Sequence, residues 1–161
     1  MLLALLALSA AGCLKGTDVE VGTPSDPATE TFASSLGVNI SQMTKISSNL
    51  YIQDVVNGAG AQATTGKSVV VFYTGWLVNG TKFDSNVGMS ATDPIPLGVG
   101  DVIAGWDQGL VGMHVGGTRR LVIGSELAYG AAGRSPPPGV SGPAIPPNAT
   151  LVFVVQLVAV Q

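Results

Sequence analysis

The sequence contains few charged residues and only one cysteine. Charged residues make up 11% of the 161 residues, and the formal net charge is −3. A nucleic-acid surface needs clustered lysine and arginine. The only adjacent basic pair, Arg119-Arg120, fits a solvated strand end better than such a surface. The lone Cys13 excludes an intramolecular disulfide. We therefore expect a globular protein that does not bind nucleic acid.

Familiar catalytic patterns are also missing. The sequence has no phosphate-binding glycine loop and no pair of residues at metal-ligand spacing. Its single histidine, His114, precedes Gly116-Gly117, where a surface or capping position is the simplest interpretation. Nucleophilic catalysis would need a base beside a serine or cysteine, and Cys13 lies near the N-terminus, far along the chain from His114. We expect no metal ion and no cofactor.

The N-terminal residues predict export from the cytoplasm. Residues 1–12 form an uncharged apolar run, too short for a membrane span of about 20 residues but suited to a signal peptide. The small residues 9–12 before Cys13 resemble a bacterial lipoprotein signal, in which the cysteine is lipidated and becomes the mature N-terminus. This resemblance implies a lipid anchor at Cys13 and a protein of the bacterial cell envelope facing the periplasm or exterior. The alternative is an ordinary signal peptide and a secreted protein.

Residues 13–45 are predicted to form a flexible acidic tether after the anchor cysteine. They are rich in Thr, Ser, Pro and Gly and show no sustained apolar period. The residues from Leu14 to Leu36 contain one lysine and four acids, whereas six acids balance six bases from Gly37 onward. The residues from Leu14 to Leu36 therefore carry the whole net charge of −3. We expect a nearly neutral domain at residues 46–161, held away from a membrane.

Five runs of apolar and β-branched residues predict strands, and one shorter pattern predicts a helix. The run at 68–78 is long and continuous enough for a strand buried on nearly both faces, followed by a turn at Asn79-Gly80. The prolines at 94–98 limit that strand to an edge. Strands without alternating helices exclude a doubly wound fold and favour an α+β protein, an antiparallel sheet with a helix on one face. The five predicted strands are 48–56, 68–78, 94–98, 118–124 and 150–160.

The helix is predicted from the apolar spacing of Trp106, Leu110 and Met113. Asp101 is a plausible cap at its start. Gly105 and Gly109 lower its intrinsic stability, so we expect a short helix that depends on tertiary packing.

An ordered set of motifs resembles a known family. VFYTG, KFDSN, PLGVGDVIAGWDQGL, LAYG and IPPNATLVFVVQL occur in this order between about residues 48 and 159, and the set is similar to the FKBP-type peptidyl-prolyl cis-trans isomerases. The resemblance implies an antiparallel sheet of five or six strands curled around one short helix. It also implies isomerisation of X–Pro bonds, which requires neither proton transfer nor a nucleophile.

The resemblance implies the residues of a proline-binding pocket. Trp106 would form its floor, and the Ile103 N–H and the Tyr129 hydroxyl would donate hydrogen bonds to peptide carbonyls. Asp84 would lie at the wall, held by a hydrogen bond from Tyr73, although a plain turn position after the hairpin is the alternative. Where many relatives have an aromatic rim residue this sequence has Asp93, and the loop at 130–147 is long. The remaining pocket residues would be Phe83, Val102 and Phe153 in the walls, with Ala144 and Ile145 facing the ligand.

The predicted function is assistance to the folding of exported proteins by isomerisation of their X–Pro bonds. The expected partners are proline-containing polypeptides, macrolide inhibitors of the family and a membrane reached through Cys13. We expect a monomer. The alternative is a non-catalytic chaperone or partner-binding module that uses the same pocket.

Overall fold

The fold is known from a computed structural model that describes residues 24, 26–136 and 142–161. The predicted signal peptide at 1–12 and Cys13 lie outside these residues. Among these described residues, one short α-helix and seven strands occur between residues 44 and 160. They are β1 (Thr44–Ser47), β2 (Leu50–Val56), β3 (Ser68–Leu77), β4 (Lys82–Ser85), β5 (Ile95–Pro96), α1 (Ala104–Gly109), β6 (Thr118–Ile123) and β7 (Leu151–Val160).

The strands form one antiparallel sheet in the order β1-β2-β6-β7-β3-β4, with β5 pairing the other end of β3. The sheet is open, because β1 and β4 are not paired with each other in this order. The predicted α+β class is confirmed, with seven strands in place of five or six. The two strands that the sequence patterns did not predict, β1 and β4, are four residues long and partly polar, so they lack a periodic apolar signal.

The strands alternate between two apolar faces, as the period of two requires. In β7, Leu151 and Phe153 belong to the main core, whereas Val152 between them belongs to a second cluster on the opposite face. β6 repeats this pattern, with Leu121 on the core face and Val122 on the other. The core face packs on α1. We call the opposite face the outer face.

Helix α1 lies close against β6 because two of its residues are glycines. A Cβ atom added at Gly105 would lie 2.4 Å from Cγ2 of Ile123, and one at Gly109 would lie 2.2 Å from Cδ2 of Leu121. The glycines that weaken the helix in isolation therefore permit its packing on the sheet. No helix in the described part of the chain is long and apolar enough to cross a membrane.

The ends of α1 are held differently from the sequence expectation. Asp101 does not cap the helix: the N-cap residue is Ile103, and no side chain caps it by a hydrogen bond. The acid that structures this region is Asp107, whose two carboxylate oxygens accept from the N–H groups of Gly98 and Gly100, each at 2.9 Å. The expectation failed because the helix begins at Ala104, so Asp101 lies two residues before the N-cap position.

Arg119 is buried and not part of a solvated strand end, which corrects that expectation. Its side chain donates to both carboxylate oxygens of Asp54, at 2.7 and 3.0 Å, and to the carbonyls of Gly109 and Val111, both at 2.9 Å. The cation therefore satisfies carbonyl groups at the C-terminal end of α1, where positive charge is favoured.

The later part of the predicted tether is packed on the outer face. Residues 26–43 form three single-turn 3₁₀ helices, Pro27–Thr29, Ser34–Leu36 and Ile40–Gln42. Leu36 and Met43 are buried against Tyr51, Val122 and Val152, and the Ala33 N–H donates to the Val78 carbonyl at 2.8 Å. This part is therefore not a free spacer. This packing could not be predicted from the sequence, because the few apolar residues of the segment recur with no regular period.

Candidate active site

A cleft of about 360 Å³ opens at one end of α1, a volume typical of small-ligand sites. It is lined by residues of β3, β4 and β7, by the entry to α1 and by the loops around residues 92–95 and 129–134. We call it the aromatic cleft. Its lining residues are Tyr73, Phe83, Asp84, Thr92, Ile95, Asp101, Val102, Ile103, Trp106, Tyr129, Arg134 and Phe153.

Four rings of the cleft form a continuous edge-to-face chain. Tyr73 packs on Trp106 with ring centroids 5.0 Å apart, and Trp106 packs on Phe153 at 5.4 Å. Phe83 contacts the other side of Phe153 at 5.6 Å. Such perpendicular contacts are the favoured geometry of aromatic pairs. Because Trp106 is only 5% exposed and Phe153 3% exposed, the inner part of the cleft is largely shielded from water.

Phe83 and Asp84 both line the cleft although they are neighbours in one strand, where successive side chains normally point to opposite faces. The pairing of β3 with β4 shifts here: Gly75 pairs with Asp84 and Trp76 with Lys82, so Phe83 has no partner across the ladder. Irregularities of this kind re-aim side chains. Asp84 therefore belongs to a strand and not to the turn.

Gly75 makes room for the aromatic wall. A Cβ atom at this position would lie 2.6 Å from Cζ of Phe83 and 2.8 Å from Cε1 of Phe153. A glycine inside a strand is the signal that could have revealed this close approach.

The Asp84 carboxylate is held by Tyr73. The Tyr73 hydroxyl donates to Oδ2 of Asp84 at 2.8 Å, as expected from the sequence, although Asp84 as a whole is exposed. Burial raises the pKa of Tyr73 well above its ordinary value, and the hydrogen bond to Asp84 and its negative charge raise it further. Tyr73 therefore remains a neutral donor at physiological pH.

Two polar residues missed by the sequence analysis hold the segment after β4 along β3. The Asn86 side chain accepts from the Tyr73 N–H at 2.7 Å and donates to the Val71 carbonyl at 3.0 Å. Thr92 Oγ1 accepts from the Val71 N–H at 3.1 Å. These side chains form hydrogen bonds with the backbone N–H and C=O groups of β3 between its partner strands β4 and β5, and so fix the position of Tyr73.

The Ile103 N–H is available at the cleft. Ile103 lies at the cleft lining, and its carbonyl accepts from the Trp106 N–H at 2.8 Å. Within the ranges that the structure describes, no hydrogen bond involves the Ile103 N–H. As an N-cap residue it has no partner earlier in its own helix, so its N–H can donate to a ligand.

Tyr129 lies at the cleft together with Arg134, which the sequence analysis did not select. Arg134 Nη1 donates to the Tyr129 hydroxyl oxygen at 2.9 Å, and the guanidinium lies 5.3 Å from the centre of the Tyr129 ring. Arg134 follows Tyr129 by five residues in a turn, a separation with no simple helical or strand pattern.

The remaining residues that were singled out from the sequence lie outside the aromatic cleft. Ile145 is buried in the main core, Ala144 is exposed, and neither is among the described residues that line the cleft. Asp93 is exposed beside the lining residue Thr92 but does not itself line the cleft. His114 is exposed on another part of the surface, with Nδ1 3.0 Å from the Gly60 carbonyl oxygen. Among residues 24, 26–136 and 142–161, no three potential ligands cluster as in a metal site.

Comparison with known sequences relates this chain to an enzyme family. The family profile described as FKBP-type peptidyl-prolyl cis-trans isomerase matches residues 60–158. The FK506-binding protein of Neisseria meningitidis serogroup A is 50% identical over 112 residues, which are 70% of this chain and 96% of that protein. The FK506-binding protein of Streptomyces anulatus is 42% identical over 113 residues, 70% of this chain and 86% of that protein.

Comparison with solved structures agrees. The crystal structure of FkpA from Escherichia coli matches with a TM-score of 0.59 and 40% sequence identity. The match covers 74% of this chain and 51% of the E. coli chain, so this chain spans about half the length of that protein.

Proposed function

Because this chain belongs to the family of FKBP-type peptidyl-prolyl cis-trans isomerases, we propose that it rotates X–Pro bonds in the aromatic cleft and so assists the folding of exported proteins. The observation that supports this site best is the edge-to-face chain from Tyr73 through Trp106 and Phe153 to Phe83, with one tyrosine-bonded carboxylate beside it. The isomerase activity itself follows from the family.

The chemistry suits an apolar cleft. The barrier to rotation about a peptide bond is about 18–20 kcal/mol and arises from amide resonance. The planar amide is more dipolar than the twisted one, so removing water from the carbonyl raises the free energy of the planar state more. Only this difference accelerates rotation. Lowering the barrier by ~7 kcal/mol would correspond to about five orders of magnitude in rate.

Each group in the cleft has a proposed role. Trp106, 5% exposed, would support the proline ring from below, with Phe83, Phe153 and Val102 at its sides. The Ile103 N–H and the Tyr129 hydroxyl would donate to the carbonyls that flank the twisted bond. Asp84 would provide a negative field near the amide, with its carboxylate held by the Tyr73 hydroxyl. We also propose Ala144 and Ile145 as substrate contacts, because Ile145 pairs with the lining residue Arg134 through two backbone hydrogen bonds.

The test is an isomerisation-limited proteolysis assay on an X–Pro peptide with two matched variants. We expect Asp84→Ala to lower kcat/KM by roughly tenfold, because a charge-assisted hydrogen bond is lost from the cleft. Asp93→Ala removes the same group from an exposed position outside the lining and should leave kcat/KM unchanged. Urea unfolding would show that both variants retain their fold.

Other outcomes would redirect the proposal. Equal activity of Asp84→Ala and the wild type would remove Asp84 from the site. Wild-type activity no greater than buffer, together with suppression of client aggregation, would favour the non-catalytic chaperone.

We further propose that Cys13 is lipidated and anchors the domain to the cell envelope, facing the periplasm or exterior. The support is the apolar run at 1–12, the small residues before the cysteine and the acidic composition that follows it. Cell fractionation tests this directly: the wild type should sediment with membranes and Cys13→Ala should be released. If both variants fractionate alike, the cysteine is not the anchor.

Two proposals concern binding partners. Because the named relatives are FK506-binding proteins, we propose that a macrolide of this type occupies the same cleft and inhibits isomerisation competitively. We also propose a monomer in solution. Inhibition that leaves the apparent KM unchanged would place the macrolide elsewhere, and a dimer mass by light scattering would contradict the second proposal.

A further inference from the structure

Arg134 lines the cleft, and its guanidinium contacts the side chain of Tyr129. Its Nη1 donates to the Tyr129 hydroxyl oxygen at 2.9 Å, and its guanidinium lies 5.3 Å from the ring centre. We propose that Arg134 is a positioning residue for isomerisation, which orients the Tyr129 hydroxyl so that its proton is directed at the substrate carbonyl. This inference rests on the proposed role of Tyr129 as a donor.

The backbone between the two residues places Arg134 back on Tyr129. Gly130 and Gly133 adopt positive φ angles of 58° and 62°, which allow the chain to reverse within a few residues. Arg134 is then fixed by two backbone hydrogen bonds to Ile145, its N–H donating at 2.9 Å and its carbonyl accepting at 2.8 Å. Because Ile145 is buried in the core, the start of the Arg134 side chain is anchored although its end is exposed.

The phenol oxygen has one proton to donate and lone pairs that accept. An arginine N–H can only donate, so the bond from Arg134 occupies a lone pair of Tyr129 and leaves the phenolic proton free. The proton also avoids the positive guanidinium. It is therefore directed away from Arg134, and a donor bonded to a cation is polarised towards stronger donation.

Arg134 forms no salt bridge with any acid among the described residues. Within the part of the chain that the structure describes, the only salt bridge joins Arg119 to Asp54. Arg134 thus acts on Tyr129 as an unpaired cation. The alternative is that the same cation contacts an acidic residue of the substrate directly, and the two roles differ in whether the effect of Arg134 depends on the Tyr129 hydroxyl.

A double-mutant cycle distinguishes the positioning role of Arg134 from direct contact with the substrate. kcat/KM for X–Pro isomerisation is measured for the wild type, Arg134→Met, Tyr129→Phe and the double variant, with peptides that have glutamate, alanine or lysine before proline. Methionine keeps an unbranched apolar stem but cannot donate to the hydroxyl. Arg134→Lys serves as the conservative variant, because it retains the charge and a donor.

We expect Arg134→Met to lower kcat/KM about fivefold, the factor for one net hydrogen bond, equally for all three peptides. In the Tyr129→Phe background the same substitution should change kcat/KM less than twofold. Arg134→Lys should restore part of the loss. Urea unfolding of the five proteins checks that these differences do not follow from lost stability.

Any one of four results would overturn the proposal or the donor role on which it rests. Losses that multiply in the double variant would mean that Arg134 acts independently of the hydroxyl. A loss confined to the glutamate peptide would assign Arg134 to direct substrate contact. A Tyr129→Phe variant as active as the wild type would contradict the donor role of Tyr129, on which the inference rests. An impaired Tyr129→Phe together with a fully active Arg134→Met would overturn the inference about Arg134 but leave the donor role of Tyr129 intact.

Discussion

Replacing Gly105 by alanine should destabilise this protein, although alanine is the better helix former. In a helix interior the change normally gains about 1 kcal/mol. Here the new Cβ would lie 2.4 Å from Cγ2, 2.8 Å from Cδ1 and 3.1 Å from Cγ1 of Ile123. Ile123 is fully buried and β-branched, so its side chain has little freedom to turn away.

The packing cost exceeds the propensity gain. Overpacking a well-filled core costs about 1–3 kcal/mol, and a helix of six residues does not realise the full gain in propensity. We expect a net loss of about 1–2 kcal/mol in the free energy of unfolding. Because Trp106 follows Gly105 directly, a displaced helix should also lower kcat/KM for X–Pro isomerisation.

Urea unfolding measures the first effect as a lower midpoint at unchanged slope. Ala104→Gly is the matched control, because Ala104 is exposed in the same helix and its substitution tests propensity without packing. Adding Ile123→Ala should remove the clash, so Gly105→Ala should cost less in that background. A Gly105→Ala protein more stable than the wild type would refute the close approach of α1 to β6.

Two further predictions concern Tyr73 and the segment on the outer face. An ultraviolet titration should show one tyrosine that ionises well above the ordinary pKa of about 10, and this signal should be missing from Tyr73→Phe. Because Tyr73 ionises at lower pH in the unfolded chain than in the folded one, its contribution to stability is complete below pH ~10 and is lost as the pH rises further. Ordinary ionisation of all tyrosines would contradict this environment for Tyr73. Leu36→Ala should cost about 2 kcal/mol in urea unfolding because Leu36 is 7% exposed, whereas the exposed Ser34→Ala should cost nothing measurable. Equal stabilities would mean that residues 26–43 do not pack on the sheet.

The strands that could be predicted from the sequence are those with long β-branched runs. β3 and β7 are ten residues each, and their pairing brings Tyr73 and Phe153 to one face. β4 could not be predicted, because KFDS has no period of two. The irregular pairing that turns Phe83 and Asp84 to the same cleft depends on the partner strand and not on these two residues alone.

Parts of the site depended on contacts between residues distant in the chain. Gly105 looked unfavourable for a helix because the side chain it accommodates, Ile123, lies in a later strand. The bonds from Gly98 and Gly100 to Asp107, which hold the loop before the helix, leave no trace in the apolar pattern from which the helix was predicted. Arg134 reaches Tyr129 only through a turn whose geometry is set by pairing with Ile145. Short-range patterns do not contain this information.

NMR exchange between the cis and trans signals of an X–Pro peptide tests the central claim most directly, since it observes the bond rotation itself. Phe153 and Val152 are adjacent in β7, both buried, and lie on opposite faces of the sheet, so their alanine variants form a matched pair. We predict that catalytic amounts of the wild type and Val152→Ala accelerate exchange to a similar extent, and that Phe153→Ala accelerates it at least tenfold less, about the effect of 1.4 kcal/mol in the barrier. Equal acceleration by folded Phe153→Ala and Val152→Ala would show that isomerisation does not take place in the aromatic cleft.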